Sequence, residues 1–410
     1  MGASRPTKEQ AMSMEFWTRR SWLALTTGLL WTRPGMAEDA VAAPEEEHIP
    51  RPKEIPPVPV EELDAAIRRG VDFLLLEQRP NGSWGSATLT KDLNIYSPIP
   101  GSHDAFKAAV TAMCLSALLE TGGERADVQQ SVERGEKWLF ENLPSVRRAT
   151  GDALYNIWTH CYSIQALVRL LKRKTDDKAR EEQIGVLIRQ QIDLLGRYES
   201  VDGGWGYYDM RYETKQPSSD SISFVNAAVL VAFYEAKQAG FEAPAKLVQC
   251  AIDATQRQRL PDHSYLYGEY LKWKPRRGIN RPGGSLGRSQ ACNVALRLWG
   301  DTTITDQVLT DWLDRLFTRN GWLDIGRKRP VPHESWFQVA GYFYYFGHYY
   351  AAWCIEQLPV EKRPLYQAHL ARTLLIRQEK EGSWWDFPFY DYHQSYGTAF
   401  VLLTLAKIRS

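Results

Sequence analysis

His103 and Asp104, Asp220, Glu334 and His348, and Asp391 and His393 each stand just ahead of, or in the first turns of, an apolar helical stretch. Carboxylates and imidazoles so placed can move protons, and Asp220, Asp391 and His393 are the candidate catalytic groups. A carboxylate pair facing across a cavity would cleave a glycosidic bond; Asp220 with Glu334 or with Asp391 would supply such a pair. Taken singly, each residue also reads as a helix cap or a satisfied buried group: Asp220, in SDSISF (219–224), would accept hydrogen bonds from the first free amides of the next helix. Phe224, Tyr344, Tyr345, Tyr349 and Tyr396 accompany these groups. The seven polar groups would form a collar, Asp104 and His348 in it, above a cavity lined by these aromatics, suited to an apolar ligand with a polar head. The run YFYYFGHYY (342–350) reads equally well as dense core.

Lys272, Lys274, Arg276, Arg277, Arg281 and Arg288 fall where no acid occurs between residues 270 and 300. Ahead of a helix this is either an anion site or a solvated basic loop. Over the whole chain 50 basic residues meet 49 acidic ones, which excludes the charge footprint of a nucleic-acid binder. Cysteines 114, 161, 250, 292 and 354 form no CxxC pair. Buried free thiols are the simple reading; one or two disulfides stay open, and the odd count leaves a thiol over.

The elements that must hold these groups are written in a repeat. FLLLEQRPNGSW (73–84) and LLIRQEKEGSW (374–384) share a Gln six residues before a Trp and a Gly two before it. Gly-Trp turns end at Trp84, Trp205, Trp322 and Trp384, with separations of 121, 117 and 62, so the period is near 60. GDALYNIW (151–158) and DHSYLYGEY (262–270) fill the two gaps. Each unit joins an amphipathic helix, charged on one face, to a helix apolar nearly all round. The fold expected is all-α: six hairpins over 60–410, apolar helices inside, in one α/α barrel domain. An open solenoid would need a polar cap, and the last helix, SYGTAFVLLTLA (395–406), is apolar. The ring is therefore expected to close, unit one touching unit six. The Gln amide and the Trp indole are expected to clasp neighbouring units by satisfying orphan backbone groups at helix ends.

Ahead of the repeats, TRRSWLALTTGLLW (18–31) puts paired arginines before a short apolar run, and Gly35, Met36 and Ala37 follow. Residues 1–37 read as a twin-arginine export signal, too short and interrupted for a stable transmembrane anchor. Losing its five basic and two acidic residues takes the net charge from +1 to −2. Residues 38–59, rich in Pro and Glu, read as a disordered linker.

The FLxxxQxxxGxW pattern resembles the repeat of squalene and oxidosqualene cyclases, whose α/α barrel is shared by the β subunits of protein prenyltransferases. The resemblance covers 60–410 and implies an α/α toroid with an isoprenoid-like ligand in its cavity. The cyclases' DxDD acid motif is absent, and Asp220 is what remains at its place. RPGGSLGRSQAC (281–292) resembles the prenyltransferase loop whose arginine holds the diphosphate, making Arg288 the match. THCYSIQAL (159–167) puts His160 where that family has a diphosphate-binding histidine. FYDYHQSYG (389–397) makes His393 the counterpart of a zinc ligand, but Cys292 and His393 leave a tetrahedron two ligands short, so no metal cofactor is expected. Two other readings stand beside this one: a non-catalytic barrel that binds a ligand or a protein, and an (α/α)6 polysaccharide-degrading enzyme.

Overall fold

The computed structural model describes residues 49–91, 99–173, 177–209, 216–217, 221–274, 278–280, 282–331 and 339–409. The export signal, the first part of the linker, Asp220, Glu334, Arg276, Arg277 and Arg281 lie outside the described residues.

The helices come in six pairs. They are α1 (Val60–Glu77) with α2 (Pro100–Thr121), α3 (Ala126–Asn142) with α4 (Asn156–Lys172), and α5 (Lys178–Arg197) with α6 (Ser223–Gln238). The next are α7 (Ala245–Arg257) with α8 (Pro282–Leu298), α9 (Asp306–Thr318) and the short α10 (Asn320–Asp324) with α11 (Phe343–Glu356), and α12 (Arg363–Leu375) with α13 (His393–Arg409). Burial sorts them into two rings. In α7 the buried residues are Leu247, Val248, Ala251, Ala254 and Thr255, one stripe of an outer helix. In α6 every residue from Ser223 to Phe233 is buried, as befits a helix covered on all sides. The inner helices pack α2 on α4, α4 on α6, α6 on α8, α8 on α11 and α11 on α13, and α13 returns to α2. The molecule is an all-α (α/α)6 toroid, and the expected contact between first and last units is made.

The repeated turn explains the closure. Gln78 Nε2 donates to Gly82 O (3.0 Å) within its own turn and to Ser131 O (2.8 Å) on α3 of the next unit. Gln378 Nε2 donates likewise to Gly382 O (2.9 Å) and to Ala66 O (2.9 Å) on α1, so the join from unit six to unit one copies the join from one to two. The indoles of Trp84, Trp205 and Trp384 donate to the carbonyls of Leu74, Leu195 and Leu374 at 2.7–2.8 Å, covering three outer-helix C-termini that would otherwise leave acceptors bare. Gly382 has φ +99°, and a Cβ there would lie 2.5 Å from Arg69 O, so the turn can approach α1 only with glycine.

Three units depart from the pattern, and in unit two Trp158 lies within α4 rather than at a turn after the outer helix. In unit four Gln258 and Tyr265 take the places of Gln and Trp, His263 (φ 58°) takes that of Gly, and Tyr265 Oη donates to Asn293 Oδ1 (2.9 Å). In unit five RNGW (319–322) makes no such clasp. It forms α9's end and α10, and Trp322 is 45% exposed; the buried indole of Trp312, on α9, reaches back to Asp262 O (2.9 Å) in unit four instead. Between α8 and α11 the backbones meet at a glycine pair, where a Cβ on Gly347 would sit 2.5 Å from Gly287 Cα.

Where disorder was expected up to residue 59, residues 49–59 follow a defined path without regular structure. Pro52 is buried, Val58 packs on the core, and Lys53 O accepts a hydrogen bond from His369 Nε2 (2.7 Å) on α12. All five cysteines are free, and all but Cys250 are buried.

Candidate functional site: an aromatic cavity at one end of the ring

The N-terminal halves of the inner helices enclose a cavity of about 290 Å³, near the lower end for small-molecule sites. Apart from Ala109, Val110 and Met113 on α2, every described residue lining it is aromatic. Phe106 comes from α2, Trp158 and Tyr162 from α4, Phe224 from α6, Phe346 from α11, and Tyr396 and Phe400 from α13. Tyr155, Tyr207, Tyr208, Tyr267, Tyr342, Phe387 and Phe389 join them from the segments that lead into the inner helices. The other end of the ring carries an ion-pair cluster. Arg169 near the end of α4 bridges Glu120 on α2 (2.9 Å) and Glu235 on α6 (3.0 Å), a cation placed where helix C-termini favour one.

Polarity on the cavity wall comes from tyrosine hydroxyls. Tyr155 Oη donates to Tyr208 Oη (2.5 Å), Tyr207 and Tyr267 share a hydroxyl contact, and Tyr267 and Tyr342 hydroxyls lie 3.5 Å apart. Burial pushes the phenols of Tyr155, Tyr208, Tyr267, Tyr342 and Tyr396 up, so all remain protonated donors at neutral pH.

Of the residues singled out from sequence, Phe224 and Tyr396 line the cavity. The other described ones are placed elsewhere. His160 is buried between α4 and α5, with Nδ1 against Gln191 Oε1 (2.7 Å), Nε2 against Asn156 Nδ2 (3.2 Å), and its ring stacked on Tyr198. Burial pushes its pKa down to about 4. His348 is its counterpart in unit five: Nδ1 meets Tyr344 O (2.6 Å), Nε2 meets Asn320 Nδ2 (2.9 Å), and burial again lowers the pKa to about 4. Helical phase accounts for both. His160 is two residues from each of Trp158 and Tyr162, and Tyr344 and His348 are offset by two from Tyr342 and Phe346; about 200° of rotation turns them toward the outer ring. Tyr344, Tyr345 and Tyr349 are core, while Tyr342 and Phe346 of the same run face the cavity.

Arg288 is fully buried, so it is not a solvated diphosphate ligand. Its Nε donates to Tyr265 O (2.9 Å) and its guanidinium to Ile279 O, tying down the segment before α8, and burial lowers its pKa to about 10. Asp391 pairs with Arg79 (2.5 Å) and accepts from Ser86 Oγ (2.8 Å), joining units six and one rather than serving a cavity. Asp104 is exposed on the first turns of α2. His103 meets the hydroxyl of Tyr392 at 3.3 Å. His393 donates from Nδ1 to Tyr390 O (2.7 Å), which fixes the proton there; its Nε2 is buried without a partner, and burial lowers its pKa. The thiol of Cys292, pushed up to about 12 by burial, lies by Ser223 and Arg288, while His393 packs edge-on against Trp385. These two do not form a zinc site, and among the described residues no three His, Cys, Asp or Glu side chains gather as metal ligands.

Asp386 escaped notice in the sequence. It is fully buried, and burial raises its pKa to about 6 against the opposing pull of its hydrogen bonds. Oδ1 accepts from Tyr396 Oη (2.7 Å) and Oδ2 from the backbone N–H of Tyr345 (2.9 Å), in the first turn of α11. The repeat held a signal for it. Asp386 stands two residues after Trp384, as the cavity-lining Tyr207 and Tyr267 stand two after Trp205 and Tyr265.

No family model matches the chain. Among solved structures, an inactive variant of an alpha-1,6-mannanase of Salegentibacter sp. HEL1_6 in complex with alpha-1,6-mannotetrose is similar at a TM-score of 0.53 and 12% identity, over 85% of this chain and 99% of that one. An unsaturated glucuronyl hydrolase from Streptococcus agalactiae is similar at 0.51 and 12%, over 87% and 94%. The type II terpene cyclase MstE from Scytonema gives 0.48 and 15%, over 85% and 98%. The likeness to the mannanase and the glucuronyl hydrolase shows a common toroidal fold and leaves function to the site.

Proposed function

We propose that the ring binds an apolar, isoprenoid-like molecule in its central cavity. The observation that carries this reading is the wall itself: a continuous aromatic surface whose polar points are neutral hydroxyls. Such a wall removes hydrocarbon from water without leaving a buried charge unpaired. The resemblance to the cyclases and prenyltransferases supports the same class of ligand. Export, proposed from the paired arginines at 19 and 20, would place this activity outside the cytoplasm; cell fractionation with and without Arg19 and Arg20 tests it.

The mannanase and glucuronyl hydrolase likeness favours a second reading, cleavage of a polysaccharide. That chemistry needs two carboxylates at a defined separation; among the described residues no carboxylate lines the cavity, and Asp386 sits behind the phenol of Tyr396. Native mass spectrometry of the protein purified from its own compartment, followed by lipid extraction, separates the two. An apolar adduct is expected. Repeated absence of any adduct, together with release of reducing sugar from a mannan, would sink the ligand-binding proposal.

A further inference from the structure

Tyr396 gives the cavity a directional polar point. Its ring lines the wall beside Phe389 and Phe400, with centroids 6.4 and 6.3 Å away. Its hydroxyl donates to Asp386 Oδ1 at 2.7 Å, with Phe387 O as a longer second acceptor at 3.4 Å. A phenol has one proton and two lone pairs. The proton is committed to groups that only accept, so what Tyr396 Oη offers to a ligand is a lone pair. A carboxylate behind the phenol strengthens that lone pair as an acceptor, because each hydrogen bond polarises the next. Asp386 is itself held in place by the Tyr345 N–H at the start of α11, and the nearby Arg327 balances its charge.

Accepting the cavity reading above, we propose that the ligand is an uncharged apolar alcohol, its hydroxyl donating to Tyr396 Oη while the hydrocarbon lies against the aromatic wall. Three ligand classes fit worse for stated reasons. An ether or epoxide can only accept and meets an acceptor. A phosphate or carboxylate meets a carboxylate of its own sign behind the phenol. An ammonium would shed its hydration for a wall that offers it neutral hydroxyls, while the Asp386 carboxylate stays behind the phenol. Asp386 is then a positioning residue, acting on selectivity through Tyr396.

The test titrates the full chain with farnesol, farnesene, farnesylamine and farnesyl diphosphate, following tryptophan fluorescence. Farnesol is expected to bind roughly tenfold more tightly than farnesene, the worth of one charge-assisted hydrogen bond. Tyr396→Phe should bring farnesol to the farnesene level and leave farnesene unchanged. Asp386→Asn, which keeps an acceptor for the phenol but removes the charge, should lose several-fold for farnesol alone, and it serves if the first variant fails to fold. Equal binding of farnesol and farnesene, indifferent to both substitutions, would overturn the alcohol while leaving the cavity reading intact. Tighter binding of the amine or the diphosphate would overturn it as well. Failure of all four probes to bind would instead remove the cavity reading on which the proposal rests.

Discussion

The two ends of the ring solve one packing problem with different chemistry. At the C-terminal end of the inner helices Arg169, 8% exposed, draws Glu120 and Glu235 together, so three helices converge on one charge. At the N-terminal end the helices splay around aromatic rings that touch edge to face and share protons between neutral hydroxyls. Ion pairs demand close, fixed geometry and collapse the space between their partners. Aromatic walls tolerate a gap, because their favourable contacts lie around the rim. The ion-paired end carries the mechanical load, and the open end is left free to hold a guest.

Breaking the ion-paired end should cost most. Arg169→Met leaves Glu235 buried without its cation and should lower stability by about 3–5 kcal/mol in a denaturant titration. Replacing Arg169, Glu120 and Glu235 together by Met or Leu should recover much of that loss; a triple variant as weak as the single one would mean the bridge is not the load-bearing contact at that end. At the open end Tyr155→Phe removes one hydroxyl contact and should cost only about 0.5–1.5 kcal/mol by the same titration.

Acid should act at the open end with two opposing signs. His160 and His348 titrate near 4 when folded and near 6.5 when unfolded, so between these values the unfolded chain binds more protons and stability falls as pH drops. Asp386 titrates near 6 when folded and near 3.8 when unfolded, so over the same window it contributes a gain in stability as pH drops. Thermal melts against pH separate the histidines' loss toward pH 4 from the Asp386 gain by substitution. Asp386→Asn should steepen that loss, and His348→Asn should reduce it. The smallest effect belongs to the outer surface: Trp322→Ala, at a half-exposed ring, should stay within about 0.5 kcal/mol of the parent.

The architecture was legible because it is written redundantly. Gln78 and Gln378, Gly82 and Gly382, and Trp84 and Trp384 repeat the same physical need at each helix end, and a closed ring follows from their spacing. The site was legible only in part. Being near the start of an inner helix was taken as pointing inward, yet an inner helix has two buried faces, and His160 and His348 turn to the outer ring. The phase was readable from Trp158 with Tyr162 and from Tyr342 with Phe346, which share the cavity's side. Arg288 was drawn to the wrong role by its basic surroundings, whereas the carbonyls of Tyr265 and Ile279 that it satisfies are set by a path no local pattern encodes. Asp386 required comparing the same offset across units, where two tyrosines hold its place.

The meeting of α13 with α1 has a practical outcome. Arg409, one residue from the end of the chain, bonds Asp64 in α1 at 3.0 Å, much as each inner helix elsewhere hands over to the next outer helix through a short link such as Gly122–Arg125. A bridge of similar length from Arg409 to Val60, with the chain opened instead between α2 and α3, should therefore give a circularly permuted protein that folds to the same ring. The molecule has a seam in its sequence and none in its shape.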